Sequence, residues 1–341
     1  MRILLTGGCG FIGSNFVRFV LGHRPEYTLT NLDALRYSGN PENLLDLAEH
    51  DRYRFVQGDI LDLEKTAQLI QDCDAVVHMA AETHVDRSIL DARPFVETNV
   101  LGTQTLLDAC RRADPKNTKK FLHVSTDEVY GALPLDRPDL KFTEDTPLQP
   151  KSPYAASKAS SDLLVQAYHH TFGLKACITR CSNNFGPYQF PEKVIPLFVT
   201  NLIESKKVPL YGDGQNVRDW IHVDDHCEAI LRVLESATPG EIFNIGGNNE
   251  RSNLELTHSI LEIMGQNRDM IQTVKDRPGH DRRYAIDAVK MRQQLEWEPT
   301  RSQWPDALKN TVQWYLDHRN WWQRVKSGQY LKYYQKQYGA D

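Results

Sequence analysis

Apolar positions in the first half of the chain gather into short runs, and between the runs they recur at helical spacing. Residues 2–6, 27–32, 53–56, 75–79 and 121–124 are apolar runs bounded by glycine or polar residues, which predicts strands. Residues 11–21, 61–70 and 95–111 carry apolar side chains at helical spacing, which predicts the intervening helices. Repeated strand–helix–strand order implies a parallel sheet with helices on both faces and ligands at the carboxyl ends of its strands. Beyond residue 180 the pattern loosens. Residues 182–188 are polar and turn-rich, 194–203 read as a helix, 217–223 as a strand, 225–234 as a helix and 241–245 as a short strand. A compact basic loop follows at 276–280, and residues 304–338 are aromatic, basic and mostly helical. The expected fold class is α/β. A doubly wound parallel sheet spans residues 1–182, with 217–246 returning to it, and a smaller interleaved α/β domain takes 183–216 and 247–341.

At 341 residues the chain is long for one hydrophobic core, which fits one large or two coupled domains. A composition of 40% hydrophobic and 25% charged residues is that of an ordinary soluble protein. A net charge of -5 gives no general pull toward nucleic acid or an anionic membrane, while leaving room for a local basic pocket around a phosphate. Cys9, Cys73, Cys110, Cys177, Cys181 and Cys227 show no CxxC spacing and read as reduced, mostly buried thiols. Cys177 and Cys181 are four apart, but their segment reads as a strand, so no metal site is expected. The apolar start Ile3-Leu4-Leu5 runs into glycines and is too short for a signal peptide or a membrane span, so a cytoplasmic location is expected.

Thr6-Gly7-Gly8-Cys9-Gly10-Phe11-Ile12-Gly13 lies between a predicted strand and a predicted helix. Gly7, Gly10 and Gly13 allow a tight turn and a close backbone approach to a pyrophosphate, and the helix amino terminus offers N–H groups and partial positive charge. Asp33 closes the second strand twenty residues after Gly13, where a carboxylate takes the adenosine ribose hydroxyls and repels a 2′-phosphate. NAD is therefore expected over NADP in a Rossmann-type domain, with Arg36 as the one nearby residue that argues the other way. Gly58-Asp59-Ile60 follows the third strand, and there Asp59 either meets the adenine amino group or is a solvated turn residue.

Ser152-Pro153 is a helix start, so Tyr154 and Lys158 share one helical face. A free tyrosine titrates near about 10. A lysine cation and a bound nicotinamide ring both favour the phenolate, which makes Tyr154 a base for a substrate hydroxyl. Thr126, at the end of the preceding strand, is placed to hold that hydroxyl. Asp127 and Glu128 come directly after it, and plain hydride transfer needs no further acid and base. Neighbours on a strand face opposite ways, so both carboxylates reach one substrate only if the strand has ended.

The glycine loop, the Tyr-Lys pair and the strand-end Ser125-Thr126 resemble those of extended short-chain dehydrogenases/reductases. Ser125-Thr126-Asp127-Glu128-Val129-Tyr130-Gly131 is similar to the motif of the nucleotide-sugar 4,6-dehydratases within that group. Residues 80–88, 181–188 and 276–284 support the resemblance, which runs from Ile3 to about Tyr330. It implies a lyase of deoxysugar biosynthesis with tightly bound, regenerated NAD. Oxidation at C4 of a nucleotide-linked glucose makes the C5 proton acidic. Tyr154 is then the base at the C4 hydroxyl, Glu128 the base at C5, and Asp127 the acid for the departing C6 hydroxyl. The resemblance adds Asp59, Ile60, Ala80, Ala81, Thr98 and Asn184 to Gly7, Gly10, Phe11, Ile12, Gly13, Asp33, Tyr154 and Lys158 around the cofactor. It assigns Thr83, Thr126, Asn183, Lys193, Val194, Pro209, Tyr211, Arg218, Asn253, Asp276, Arg277 and His280 to the nucleotide sugar. His84 and His280 read as packing or hydrogen-bonding residues. The resemblance also implies a homodimer through helices of the cofactor domain, 95–111 and 154–172. A 4-epimerase, a dehydratase for a different nucleotide, and a dinucleotide-binding protein without turnover are the rivals. Asp127-Glu128 argues against the first, and retention of Tyr154 and Lys158 against the last.

Overall fold

The computed structural model describes residues 1–326; expectations for 327–341 lie outside them. The strands are β1 (Arg2–Thr6), β2 (Thr28–Asp33), β3 (Tyr53–Gln57), β4 (Ala75–His78), β5 (Lys120–Thr126), β6 (Lys175–Cys181), β7 (Asn183–Phe185), β8 (Val208–Tyr211), β9 (Val217–His222), β10 (Ile242–Ile245), β11 (Glu250–Ser252) and β12 (Ile271–Val274). A seven-stranded sheet runs β3-β2-β1-β4-β5-β6-β10, and every neighbouring pair is parallel. The strand order reverses between β1 and β4, which opens a crevice at their carboxyl ends.

Alternation along the strands divides their side chains between two cores. Ile3, Leu5, Val77 and Leu122 face the helices Phe11–His23 and Val223–Ser236, where they meet Phe16, Val17, Ile230 and Val233. Leu4, Val76 and Phe121 face the opposite layer, with Ile70, Leu106 and Val165 of helices Leu63–Gln71, Thr103–Ala113 and Pro153–Phe172. Each such aliphatic side chain contributes about 1.5–3 kcal/mol by leaving water. Both faces are covered, which is why these strands are apolar throughout rather than alternating.

A third core packs the smaller domain, with Phe198, Leu202, Trp220, Leu256, Ile260, Leu308 and Trp322 at its centre. Its sheets are small: β11-β9-β7 and β12-β8. Part of the expected boundary is corrected here. Helix Val223–Ser236 and β10 join the large sheet, but β9 pairs with β7 and β11 instead. Buried Asp219 holds it there, accepting the N–H groups of Gly247 and Asn249 and so tying β9 to the turn before β11. Helix Val289–Leu295, expected in the second domain, packs instead on the large sheet, with Met291 and Leu295 in the same core as Leu5.

The expected helix over 95–111 is also modified. A short turn at Arg93–Phe95 passes into a π-helical stretch, Val96–Gly102, before regular α-helix resumes at Thr103–Ala113. The wider turn lets Gly102 press on Ile60, where an added Cβ would meet the Ile60 side chain at 2.5 Å. It also places Thr98 on the crevice wall and Asn99 against the Glu82 backbone behind it, the kind of place where such bulges recur.

Two glycines in the first helix have opposite surroundings. A Cβ on Gly13 would lie 2.3 Å from the carbonyl oxygen of Gly7, whereas one on Gly22 would meet nothing within 4 Å. Gly13→Ala should cost about 1–3 kcal/mol in urea denaturation through overpacking, and Gly22→Ala should stabilise by up to about 1 kcal/mol. Equal effects would contradict this packing.

Candidate active site

The residues expected around the cofactor, from Gly7 to Asn184, all line one cleft along the carboxyl edge of the large sheet. Gly7 takes φ +77°, and a Cβ there would strike the Ala80 backbone at 2.7 Å, so the turn needs glycine. No side chain caps the helix that begins at Phe11. Its first N–H groups therefore face the cleft without a competing protein acceptor, as anion binding requires. Asp33 is buried and accepts the N–H groups of Cys9 (2.9 Å) and Leu35 (2.8 Å), which fixes its carboxylate at the end of β2. Burial raises its pKa, and these backbone donors oppose the rise. Arg36 is engaged: its guanidinium donates to Asp59 and to Thr98, each at 2.6 Å. It is thereby neutralised rather than presented to a 2′-phosphate.

The strand problem at the acidic pair is resolved by the backbone. β5 ends at Thr126, and Asp127–Tyr130 form one turn of 3-10 helix. The Thr126 hydroxyl accepts the Glu128 N–H at 3.3 Å and caps that turn. With the strand ended, Asp127 and Glu128 both line the cleft that also holds Tyr154 and Lys158. Asp127 is buried and its Oδ2 has no hydrogen-bond partner. Burial, then the Glu128 charge, then Asp219 push its pKa well above the carboxylate range, which favours its protonated form, while Arg218 and the Thr126 hydroxyl oppose the rise. Burial raises Glu128 as well, and Arg277, Lys193 and Arg218 oppose the rise without cancelling it. Both carboxyls are raised, and the surrounding charges set Asp127 further from the ordinary carboxylate range than Glu128.

Ser152 caps the helix Pro153–Phe172 by accepting the Ala155 N–H, and Pro153 sits in its first turn. The Tyr154 ring stands edge-on to Phe95 with centroids 6.3 Å apart. Burial and then Glu128 raise the Tyr154 pKa, while the Thr126 hydroxyl lowers it. Lys158 lies one turn further along. Its ammonium donates to the Val124 carbonyl at 2.8 Å and meets His123 Nε2 at 3.4 Å, so it engages the end of β5 rather than the phenol. Burial brings the Lys158 pKa down to about 8.

Of the residues expected at the nucleotide sugar, Thr83, Thr126, Asn183 and Lys193 share the cleft wall; Val194, Pro209, Tyr211, Arg218, Asn253, Asp276, Arg277 and His280 do not line it. Several of these form an adjoining cluster. Arg277 pairs with Asp86 at 2.7 Å, the Tyr211 hydroxyl donates to the other Asp86 oxygen, and His280 meets Asp276 at 2.6 Å. Arg218 is buried, stacks 4.3 Å from the Tyr284 ring centroid, and donates to the Asp281 carbonyl. Lys193 reaches back to the Thr83 carbonyl at 3.1 Å. His84 caps the short helix Val85–Leu90 and lies 3.9 Å from Glu192.

Sequence reasoning missed four residues of this region. Asn99 clamps the Glu82 backbone and the Ser157 hydroxyl; its position in a helix predicted as regular gave no sign of this. Glu192 lines the cleft, and burial raises it to about 7. Asp86 became visible only through its tertiary partners. Trp321, from the far end of the chain, also lines the cleft, held by its indole N–H to Asn43.

A sequence profile of the GDP-mannose 4,6 dehydratase family matches residues 4–304. The dTDP-glucose 4,6-dehydratase of Streptomyces niveus is 51% identical over 331 residues, covering 96% of each chain. The dTDP-glucose 4,6-dehydratase 1 of Escherichia coli K12 is 45% identical, covering 99% of each. Among solved structures, the dTDP-glucose 4,6-dehydratase DesIV of Streptomyces venezuelae with NAD bound superposes with a TM-score of 0.92 at 50% identity, covering 96% of this chain and all of that one. A UDP-glucuronic acid 4-epimerase from Bacillus cereus superposes at 0.86 with 30% identity, covering 93% of this chain and 99% of that one.

Proposed function

The chain belongs to the GDP-mannose 4,6 dehydratase family, and from that membership we propose that it dehydrates dTDP-glucose to dTDP-4-keto-6-deoxyglucose with NAD held in the cleft. One observation carries the reading: the turn after Thr126 brings an acid and a base to the wall that holds Tyr154 and Lys158. A 4-epimerase needs no base at C5, and the epimerase neighbour is the more distant at 30% identity.

The residues fit NAD. The uncapped helix start takes the pyrophosphate, Asp33 takes the adenosine ribose, and Arg36 is already neutralised by Asp59. Bound NAD supplies a reversible hydride acceptor. Tyr154 takes the proton of the C4 hydroxyl, with Thr126 beside it to hold the same oxygen. Oxidation there makes the C5 proton acidic, because the developing carbanion is conjugated with a carbonyl. Glu128 removes that proton. Asp127, kept protonated by burial and by Glu128, gives its proton to the leaving C6 oxygen, and water departs. Each positioned acid or base is worth roughly 10²–10⁴ in rate. Lys193, Arg218 and Arg277 supply positive charge for a diphosphate; arginine offers it as a planar fork.

No helix among the described residues is long and apolar enough to cross a membrane. Every cysteine is free and buried, which supports work in the reducing cytoplasm on a soluble nucleotide sugar. We also propose a homodimer through the cofactor domain. Val96 and Leu101 on one helix, and Leu163 and Phe172 on its neighbour Pro153–Phe172, are exposed apolar side chains on adjacent elements.

Purified protein should convert dTDP-glucose without added NAD, read by the alkali-induced absorbance of a 4-keto sugar, and UDP-glucose and CDP-glucose in parallel should fix the base preference. Glu128→Gln should stop after oxidation, with reduced cofactor and 4-keto hexose retained; normal turnover in that variant would remove Glu128 as the base. Tyr154→Phe should slow the first reduction of cofactor by roughly 10²–10⁴, and reduction at the wild-type rate would remove its role. Leu163→Arg should convert a dimer to monomers in sedimentation velocity; a wild-type monomer would exclude the proposed interface.

A further inference from the structure

Beneath Lys158 lies a group of buried polar side chains to which the reaction above gives no part. Tyr154, Lys158 and Asp162 fall at successive fours on helix Pro153–Phe172, so they form one stripe along its inner face. Asp162 is fully buried. Its Oδ2 accepts the Arg180 Nε at 2.8 Å, while its Oδ1 has no hydrogen-bond partner and lies 3.4 Å from His123 Nε2. That same Nε2 is 3.4 Å from the Lys158 ammonium. Arg180 is anchored at its far end, donating to the Tyr130 hydroxyl at 2.9 Å, and Tyr130 donates to Asn244 at 2.8 Å. From Lys158 inward, every member is at most 4% exposed.

The charges in this chain do not cancel by pairs. One carboxylate, Asp162, serves two cations, Arg180 and Lys158, and the imidazole between them is neutral because burial brings His123 to about 4. A neutral ring has a single proton. With that proton on Nδ1, which has no protein partner, Nε2 accepts from charged Lys158; with it on Nε2, the ring donates to Asp162. The ring adapts to either charge state of Lys158 without moving.

We propose that Asp162, oriented by Arg180 and coupled through His123, is a positioning residue that holds Lys158 charged at the pH of catalysis and thereby supports deprotonation of Tyr154. This rests on the dehydratase reading for the role of Lys158. A lysine as dry as this one loses its proton easily, and its pKa falls to about 8; the Asp162 carboxylate is the first of the groups that resist the fall. The other titratable groups around it are Tyr154 on its own helix, His123 on β5, Arg180 and Cys181 on β6, and Asp127 and Glu128 on the turn. Cys181 is pushed up to about 12 and Tyr154 well above its ordinary value, while His123 is brought down to about 4. His78 on β4, 5.2 Å from the His123 ring and hydrogen-bonded to Thr6 and Thr103, is pushed well below its ordinary value by burial and then by His123 and Lys158. Lys158, brought to about 8, titrates just above neutrality.

The sign follows from the charges. Asp162→Asn removes the anion and should move the Lys158 midpoint down by roughly one unit. Arg180→Gln removes the competing cation, gives Asp162 wholly to Lys158, and should move the midpoint up. Full-length protein labelled at lysine Cε permits a ¹³C NMR titration, with the Lys158 resonance assigned by its loss in Lys158→Met. The alkaline limb of single-turnover cofactor reduction should move with that midpoint in each variant, with KM for the sugar nucleotide within about twofold, since none of these groups reaches the cleft's substrate side. A merely structural role would lower stability in both variants and leave both midpoints where they are, and that result overturns the proposal. If Asp162→Asn does not fold, the upward shift in Arg180→Gln decides alone. A midpoint that moves in a protein inactive on dTDP-glucose would uphold the coupling and refute the dehydratase reading instead.

Discussion

The hydroxyl of Thr126 accepts the amide of Glu128, and that bond ends a buried strand immediately before two carboxylates. The chemistry depends on this local event. Had β5 run on by two residues, Asp127 and Glu128 would point to opposite faces of the sheet. The 3-10 turn places both on the crevice wall, at the strand end where a doubly wound sheet leaves room for a ligand. Gly131 then leaves the turn at φ +87°, a conformation that other residues adopt only under strain.

Dryness supplies the rest of the mechanism. In water the two carboxyls would both ionise at neutral pH. Packed together under the small domain they differ, because Asp127 has the anions Glu128 and Asp219 beside it and is opposed by Arg218, whereas Glu128 is opposed by three cations, Arg277, Lys193 and Arg218, with Asp281 adding to its rise. The small domain therefore does more than close the cleft: its cations lower the Glu128 pKa against the rise that burial causes. Interleaving makes this possible. Arg218 comes from β9, Lys193 from the residue before helix Val194–Ile203, and Arg277 from the loop after β12, and each acts on the charge of Glu128 in the turn after β5 of the large sheet. Asp86 of the large domain holds Arg277 at 2.7 Å, which ties the loop after β12 to the large domain.

Much of the large sheet was legible in the sequence, because a strand covered on both faces is an apolar run and a glycine loop has a fixed place after β1. The helix Val194–Ile203 has the bounds its periodicity predicts. The misreadings have physical causes. β9 reads as a strand from its composition, but only the tie from Asp219 to Gly247 and Asn249 decides which sheet it joins, and that contact is tertiary. The π-helical stretch at Val96–Gly102 cannot be told from α-helix by apolar spacing alone. At the site, residue types and spacing pointed to the carboxylates, the tyrosine and the lysine, yet the turn that brings the acidic pair together depends on a capping bond invisible to periodicity. Asp162 shares the stripe of Tyr154 and Lys158, but its role rests on Arg180 and His123, which only the fold brings to it. The His84 and Glu192 pair was not, since its partners are far apart in sequence and meet only across the two domains.

The central claim is that oxidation at C4 is temporary and serves elimination between C5 and C6 in the same sugar. It is tested most directly by turning over dTDP-glucose carrying deuterium at C4, mixed with unlabelled sugar marked by ¹³C, and examining the product by mass spectrometry. The account predicts deuterium at C6 of the molecules that carried it at C4, with none in the ¹³C-marked product. Deuterium lost to solvent, exchanged between molecules, or retained at C4 would contradict it.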